Sequence, residues 1–346
     1  MASSRTLSAA VGVGWQMIIE KELRDWCADR SRQAGARAAA VAFAQSWSRS
    51  PSFRKVADAF RHTADSGEAV VETLCELFAD HDWIEAAIDG LLAELRRDRF
   101  FEPPFAALNS DIHSGLLLYD DSSVSIALGV TGVTKLAAKK GVARGSTSIG
   151  FTGHHSVLKF IKAGGATISL WEAAAVGDAH NSSEAPTCWP VGKRELKDGD
   201  VLVFDGRRQS YVIEHATSDI LLLQGTVKRG KVQLTTEYDS ATLRYVGASA
   251  TDEVASRVQM ITTLLRKMKC TEAFPVIEQF LDDPHFFVRW HVMRELLGLD
   301  GPAALPHLER LASEDPHPDV RRAASAVLGG LQRHQPVSEG AQPCLA

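Results

Sequence analysis

Three regimes of apolar spacing succeed one another along the chain. Up to about residue 100, apolar residues recur at helical spacing. Val41, Phe43 and Ala44 lie in one such segment. Val70, Val71, Leu74, Leu77 and Phe78 form a second, and Ile84, Ala87, Ile88, Leu91, Leu92 and Leu95 a third. Near residue 105 the period drops to two. Val124, Ile126, Leu128 and Val130 alternate with Ser125, Ala127 and Gly129, the pattern of a half-buried strand. From about residue 252 the helical period returns. The pattern predicts an α+β multidomain chain: a helical region over 1–104, an antiparallel β domain over 105–247, helical repeats over 250–333 and a disordered tail over 334–346.

Breakers divide the elements. Ser50-Pro51, Asp65-Ser66-Gly67 and Asp80-His81-Asp82 interrupt the first helical region, and Ser50-Pro51 has the form of an N-cap followed by proline at the first helical position. In the middle, strands are expected at 113–119, 124–130, 146–151, 156–162, 166–172, 200–204, 210–215, 219–227 and 231–237. Gly and Asp turns such as Gly164-Gly165, Asp198-Gly199-Asp200 and Arg229-Gly230 punctuate them. Many short strands in a row predict a sandwich or barrel. The longest irregular piece is expected at 177–193, a loop placed to line a binding mouth.

The C-terminal region repeats itself. Asp283-Pro284-His285 with Val288-Arg289 recurs as Asp315-Pro316-His317 with Val320-Arg321, an offset of 32. Upstream, Ala273, Pro275 and Glu278 recur as Ala304, Pro306 and Glu309, an offset of 31. A helix, an Asp-Pro turn and a second helix resemble HEAT-type repeats over roughly 270–332. One such unit cannot bury its apolar face, so the helix over 252–268 and the β domain are expected to support the pair. The resemblance implies a protein-docking surface. Arg289, Arg294, Arg321 and Arg322 are expected to meet nearby carboxylates inside the stack, and Trp290 to pack between helices.

The middle domain resembles the cupin superfamily. Leu196 to Gly206 (LKDGDVLVFDG) looks like its second signature, and the stretch from His154-His155 through Gly164-Gly165 to Glu172 like its first. The resemblance implies a β-barrel with a ligand site at one end. It also implies a metal held by histidines and a carboxylate, but the pattern is broken here. His154 and His155 are adjacent, the carboxylate position falls near Leu158 or Lys159, and the last histidine position falls near Gln209 or Ser210.

Composition narrows the function. The chain has 346 residues, a net charge of −5 and five widely spaced cysteines. A mildly acidic balance predicts no nucleic-acid partner, and no C-x-x-C pair points to zinc or a disulfide framework. No apolar run reaches membrane-spanning length. Residues 1–19 read as an amphipathic helix rather than a signal peptide, and the cysteine usage predicts a cytoplasmic protein.

Two functions remain in view. The first is a small-molecule-binding or regulatory protein with a HEAT-like docking segment, its ligand contacts drawn from Arg207, Gln209, Tyr211 and His180. The second is a metal-dependent cupin-fold dioxygenase or isomerase. It would use a rearranged ligand set from His113, His154, His155 and His215 around one divalent Fe, Mn, Zn or Ni ion. Strand alternation places Tyr211, Ile213 and His215 on one face and Val212 and Glu214 on the other.

Overall fold

The architecture comes from a computed structural model, which describes residues 21–61, 63, 66–80, 82–142, 147–175, 187–230, 232 and 234–334. Residues 177–186 of the expected loop, His180 among them, the first 20 residues and the tail from 335 on lie outside the described residues.

Helices fill the N-terminal region. After α1 (residues 21–28) come α2 (Arg30–Arg49), α3 (Pro51–Arg61), α4 (Gly67–Ala79) and α5 (Asp82–Arg97). Their caps are those written in the sequence. Ser50 Oγ accepts the Phe53 N–H at 3.0 Å with Pro51 opening α3, and Ser66 Oγ accepts the Ala69 N–H at 3.1 Å.

Twelve strands follow: β1 (Ala106–Asn109), β2 (His113–Asp120), β3 (Val124–Thr131), β4 (Ser148–Phe151), β5 (His155–Lys162), β6 (Thr167–Ala173), β7 (Cys188–Glu195), β8 (Val201–Asp205), β9 (Gln209–His215), β10 (Ile220–Val227), β11 (Leu234–Asp239) and β12 (Tyr245–Ala250). They form a six-stranded sheet in the order β1-β2-β3-β10-β5-β8 and two three-stranded sheets, β7-β6-β9 and β12-β11-β4. Every pairing is antiparallel. This is the antiparallel sandwich that the cupin resemblance implies.

The six-stranded sheet is apolar on both faces. Val124, Ile126, Val157, Leu223 and Val227 on one face join Val56, Phe60, Leu74 and Phe78 of the N-terminal helices in one core. Leu158, Phe160, Leu202, Phe204 and Leu222 on the other face meet Ile168 and Ile213 of β6 and β9. The sheet β7-β6-β9 is itself covered outside, where Trp171 and Val212 pack with Phe151 and Tyr238. Alternation along β9 therefore holds where it was expected: Ile213 faces one core and Val212 the other. Lys159 of β5 is buried and donates from Nζ to the Phe78 carbonyl in the last turn of α4. Burial there pushes its ammonium below the ordinary lysine value.

Three features depart from the sequence reading. A helix, α6 (Val133–Val142), interrupts the β domain. Its Ala, Leu and Lys residues favour helix, and Asp219 from the distant end of the β9–β10 connection accepts the Val133 N–H at 2.9 Å. The expected 177–193 loop ends early, because residues 188–193 belong to β7. Strand β7 pairs only with β6, and an edge strand tolerates Pro190 and Gly192. Strands β1 and β12 were also unforeseen, because neither buries a residue and so neither carries an apolar face.

The C-terminal helices are α7 (Glu253–Lys267), a one-turn α8 (Phe274–Ile277) flanked by 3-10 turns, α9 (Phe286–Leu299), α10 (Gly301–Glu314) and α11 (Pro318–His334). Asp283 and Asp315 occupy equivalent turns, with φ/ψ of −57/141 and −58/132, and Val288 and Val320 are both buried. The first helix of the first repeat is one residue shorter between its Ala and its Asp (273 to 283 against 304 to 315). The 3-10 turns absorb the difference, because they rise ~2.0 Å per residue against ~1.5 Å in an α-helix.

Candidate functional site

The inner face of the six-stranded sheet is underfilled at one end. Where β5, β8 and β10 present Leu158, Phe204 and Leu222, strands β1, β2 and β3 present Leu108, Gly115, Ala127 and Gly129. The small residues of the neighbouring strands β2 and β3 leave a cavity of ≈ 500 Å³, bounded also by His113, Tyr211 and Gln224. The space opens to solvent, since Leu108, His113, Ser114 and Gln224 on its rim are exposed. The volume lies within the range of small-molecule pockets, ~300–1,000 Å³. His113 and Tyr211 also line a second cavity of ≈ 300 Å³, walled by Leu136, Lys139 and Lys140 of α6. These two side chains thus stand between the two spaces.

His113 opens β2. Its N–H donates to Ser110 Oγ at 3.1 Å, and its Nδ1 lies 2.8 Å from Thr131 Oγ1 on the neighbouring strand. The residue is exposed at the strand end, but its ring lies against Thr131 and the cavity walls. Partial loss of water, and secondarily the charge of Lys139, hold the imidazole below its ordinary pKa. It is therefore a neutral hydrogen-bonding group near pH 7. Tyr211 stacks on Phe204 with ring centroids 5.0 Å apart, and burial pushes its phenol up to about 12. It stays protonated and able to donate. Lys140 Nζ lies 3.1 Å from Glu214 Oε2, while Lys139 makes only an exposed 3.5 Å contact with Asp111.

The other expected site residues disperse. Gln209 lines a separate cavity of ≈ 180 Å³ with Trp171, Arg194 and Phe204, and its Oε1 accepts the Asp205 N–H. Arg207 lines neither of the two cavities beside His113 and Tyr211. It is held by Asp205 through Nε–Oδ1 at 2.7 Å and Nη2–Oδ2 at 2.9 Å across the β8–β9 turn. His180 lies outside the described residues.

The histidines named as metal ligands do not gather. His154 precedes β5, and His155 lies with Nε2 3.4 Å from Asp205 Oδ1. His215 ends β9 and is exposed. The pairing of β6 with β9 shifts register between Thr167 and Ile168, opposite Glu214. That irregularity breaks the alternation, so His215 does not continue the inward face of Tyr211 and Ile213. Among the described residues, no group of three or more His, Cys, Asp or Glu side chains is placed to hold a metal ion. A transition-metal site needs several convergent ligands, and the described residues do not fit one.

Gln224, Lys139, Lys140 and the small inner residues were not singled out in the sequence. One signal was present: Ser125, Ala127 and Gly129 form a small-residue face opposite Val124, Ile126 and Leu128.

The C-terminal segment carries a second concavity. Phe286, Phe287, Trp290, Arg294 and Arg322 line a groove of ≈ 430 Å³ between α9 and α11. Of the arginines expected to meet carboxylates, Arg289 pairs with Asp315 and Arg322 with Asp319, while Arg321 donates to the Asp315 carbonyl.

Residues 247–329 match the family described as HEAT repeats. No curated protein matches the chain. Solved structures similar to the β domain include an ectoine synthase from P. lautus, at 12% identity and a TM-score of 0.22 over 35% of this chain and 68% of that one. A cupin domain from Bordetella pertussis Tohama I aligns at 11% identity and 0.21, over 35% of this chain and 98% of that one. A hydroquinone 1,2-dioxygenase in complex with Cd2+ and 4-hydroxybenzonitrile aligns at 16% and 0.23, over 32% and 62%. Similarity at this level carries no argument about activity. Among the described residues, no helix is long and apolar enough to cross a membrane.

Proposed function

We propose that this chain is a small-molecule-binding protein whose β domain takes its ligand in the cavity beside His113 and Tyr211, and whose HEAT repeats dock a protein. The observation that carries the reading is the ≈ 500 Å³ space walled by Leu108, Gly115, Ala127 and Gly129. The apolar walls suit a compact apolar body. The neutral imidazole of His113, the phenol of Tyr211 and the amide of Gln224 supply donors and acceptors that would orient it. The aromatic groove between α9 and α11 supports the docking half, since stacked helical repeats present such surfaces to partners.

The test uses 1-anilinonaphthalene-8-sulfonate, a dye that brightens in apolar cavities. A Cβ at Gly129 meets nothing closer than Ser114 O at 3.9 Å, so Gly129→Leu places its bulk at the cavity wall. The wild-type protein is expected to bind the dye at one site per chain under native conditions. Gly129→Leu should weaken that binding at least ~10-fold, or ~1.4 kcal/mol, at unchanged circular dichroism. Equal binding by both proteins would sink the reading.

A further inference from the structure

Helix α7 is apolar on two sides. Its inner side packs on the repeat core through Ala255, Val258 and Leu265. Its outer side carries Val254, Ile261 and Met268 at seven-residue intervals, with Met260 and Leu264 between them, and all five are more than half exposed. Seven residues bring a helix back to nearly the same face, so these side chains form one stripe about 21 Å long at ~1.5 Å per residue. The outer helix of a repeat array needs a polar outer face to stay soluble. At the far end of this array α11 comes closer to one, exposing Arg322 and Ser325 with Ala326 and one large apolar side chain, Leu331, against the five along α7.

The charges along α7 indicate what covers it. Its N-terminal end is acidic, with Asp252 and Glu253, and its C-terminal end basic, with Lys267 and Lys269. Val254 and Met268 lie equally far from Ile261 along the stripe, with Met260 and Leu264 flanking its middle on one side. We infer that α7 pairs antiparallel with α7 of a second copy of this chain, across a two-fold axis at Ile261. This register sets Val254 against Met268 of the second copy and Glu253 against its Lys269. It also opposes the two helix macrodipoles. A parallel pairing would place like charges together at both ends. Arg257 is held along the helix by Glu253 at 2.5 Å, which leaves its aliphatic stem on the stripe. An isologous contact requires such self-complementarity, whereas an unrelated partner would have no reason to match it. None of the stripe residues lines the groove between α9 and α11.

Sedimentation equilibrium of the full chain over about 1–100 µM, which brackets micromolar association, tests the pairing. The wild type should shift from monomer to dimer across that range. Ile261→Asp should remain monomeric, and because Ile261 is exposed, its melting temperature should stay near wild type. Glu253→Lys and Lys269→Glu should each weaken the dimer, and the double variant should restore it. Trp290→Ala should leave the dimer intact, which separates this surface from the docking groove. A wild-type monomer at every concentration overturns the inference and leaves the stripe to another segment of this chain or to a different protein. A dimer that survives Ile261→Asp, or a charge swap without rescue, overturns it too.

Discussion

Arg289 of the first repeat grips Asp315 of the second through two hydrogen bonds of 2.8 Å, with both side chains buried. The same arginine donates to the Asp283 carbonyl at the first turn, just as Arg321 donates to the Asp315 carbonyl at the second. The Asp-Pro turns are thus linked in series, each arginine bracing its own turn and Arg289 bracing the next as well. Asp315→Asn would leave the guanidinium buried beside a neutral amide. It should cost about 3–5 kcal/mol, the usual penalty for breaking a buried pair by removing one partner. Asp283 accepts only local bonds from His285, so Asp283→Asn should cost about 0.5–1.5 kcal/mol. Urea unfolding of both variants checks the ranking.

Acid should weaken the repeats through the same carboxylate. Burial alone would raise the Asp315 pKa, but hydrogen bonds from Arg289 and the His317 N–H outweigh it and hold the group below its ordinary value. A depressed carboxylate contributes stability that is present above its unfolded pKa of ~3.9 and lost as pH falls through the folded value. Unfolding of the C-terminal helices, followed by denaturation at pH 5 and pH 3, should show this loss. Asp315→Asn should flatten it.

Alkali should act through the tyrosines. All four are shifted upward, Tyr119 and Tyr211 to about 12, chiefly by burial. A raised phenol favours the folded state only while it is protonated in both states. Stability should therefore fall as pH rises above ~10, where the unfolded chain begins to ionise. Absorbance at 295 nm should show little phenolate in the folded protein at pH 10 and a sharp rise on adding denaturant.

His113 should leave a signature near neutrality. Its folded pKa is lowered, so protonation is penalised in the folded state. Stability should rise with pH through the folded value up to ~6.5 and level off above it. Melting temperatures between pH 5 and pH 8 should show a smaller rise in His113→Gln than in the wild type.

Gly225 marks where helix α4 meets the sheet. A Cβ there would lie 2.6 Å from Leu74 Cδ2 and 2.8 Å from its Cδ1. Leu74 is fully buried and has little room to yield. Gly225→Val should cost about 1–3 kcal/mol through overpacking. Pairing it with Leu74→Ala should recover part of that loss in a double-mutant cycle.

The sequence alone determined what near neighbours decide. Helical and strand periods come from contacts a few residues apart, so α3 with its Ser50-Pro51 start, the strand at 124–130 and the two faces of β9 at Val212 and Ile213 were all legible. So was the repeat, because Asp283 and Asp315 carry the same local turn. Only the tertiary structure decided the rest. Helix α6 is capped by Asp219, 86 residues further along the chain. Strand β10 lies between β3 and β5, and that order places Gln224 beside Ala127 and, with Tyr211, at the cavity. A single register shift opposite Glu214 turned His215 away from the inward face of Tyr211. Such features are set by which strands pair and in what register. Those choices depend on burial summed over distant segments, and no local pattern records them.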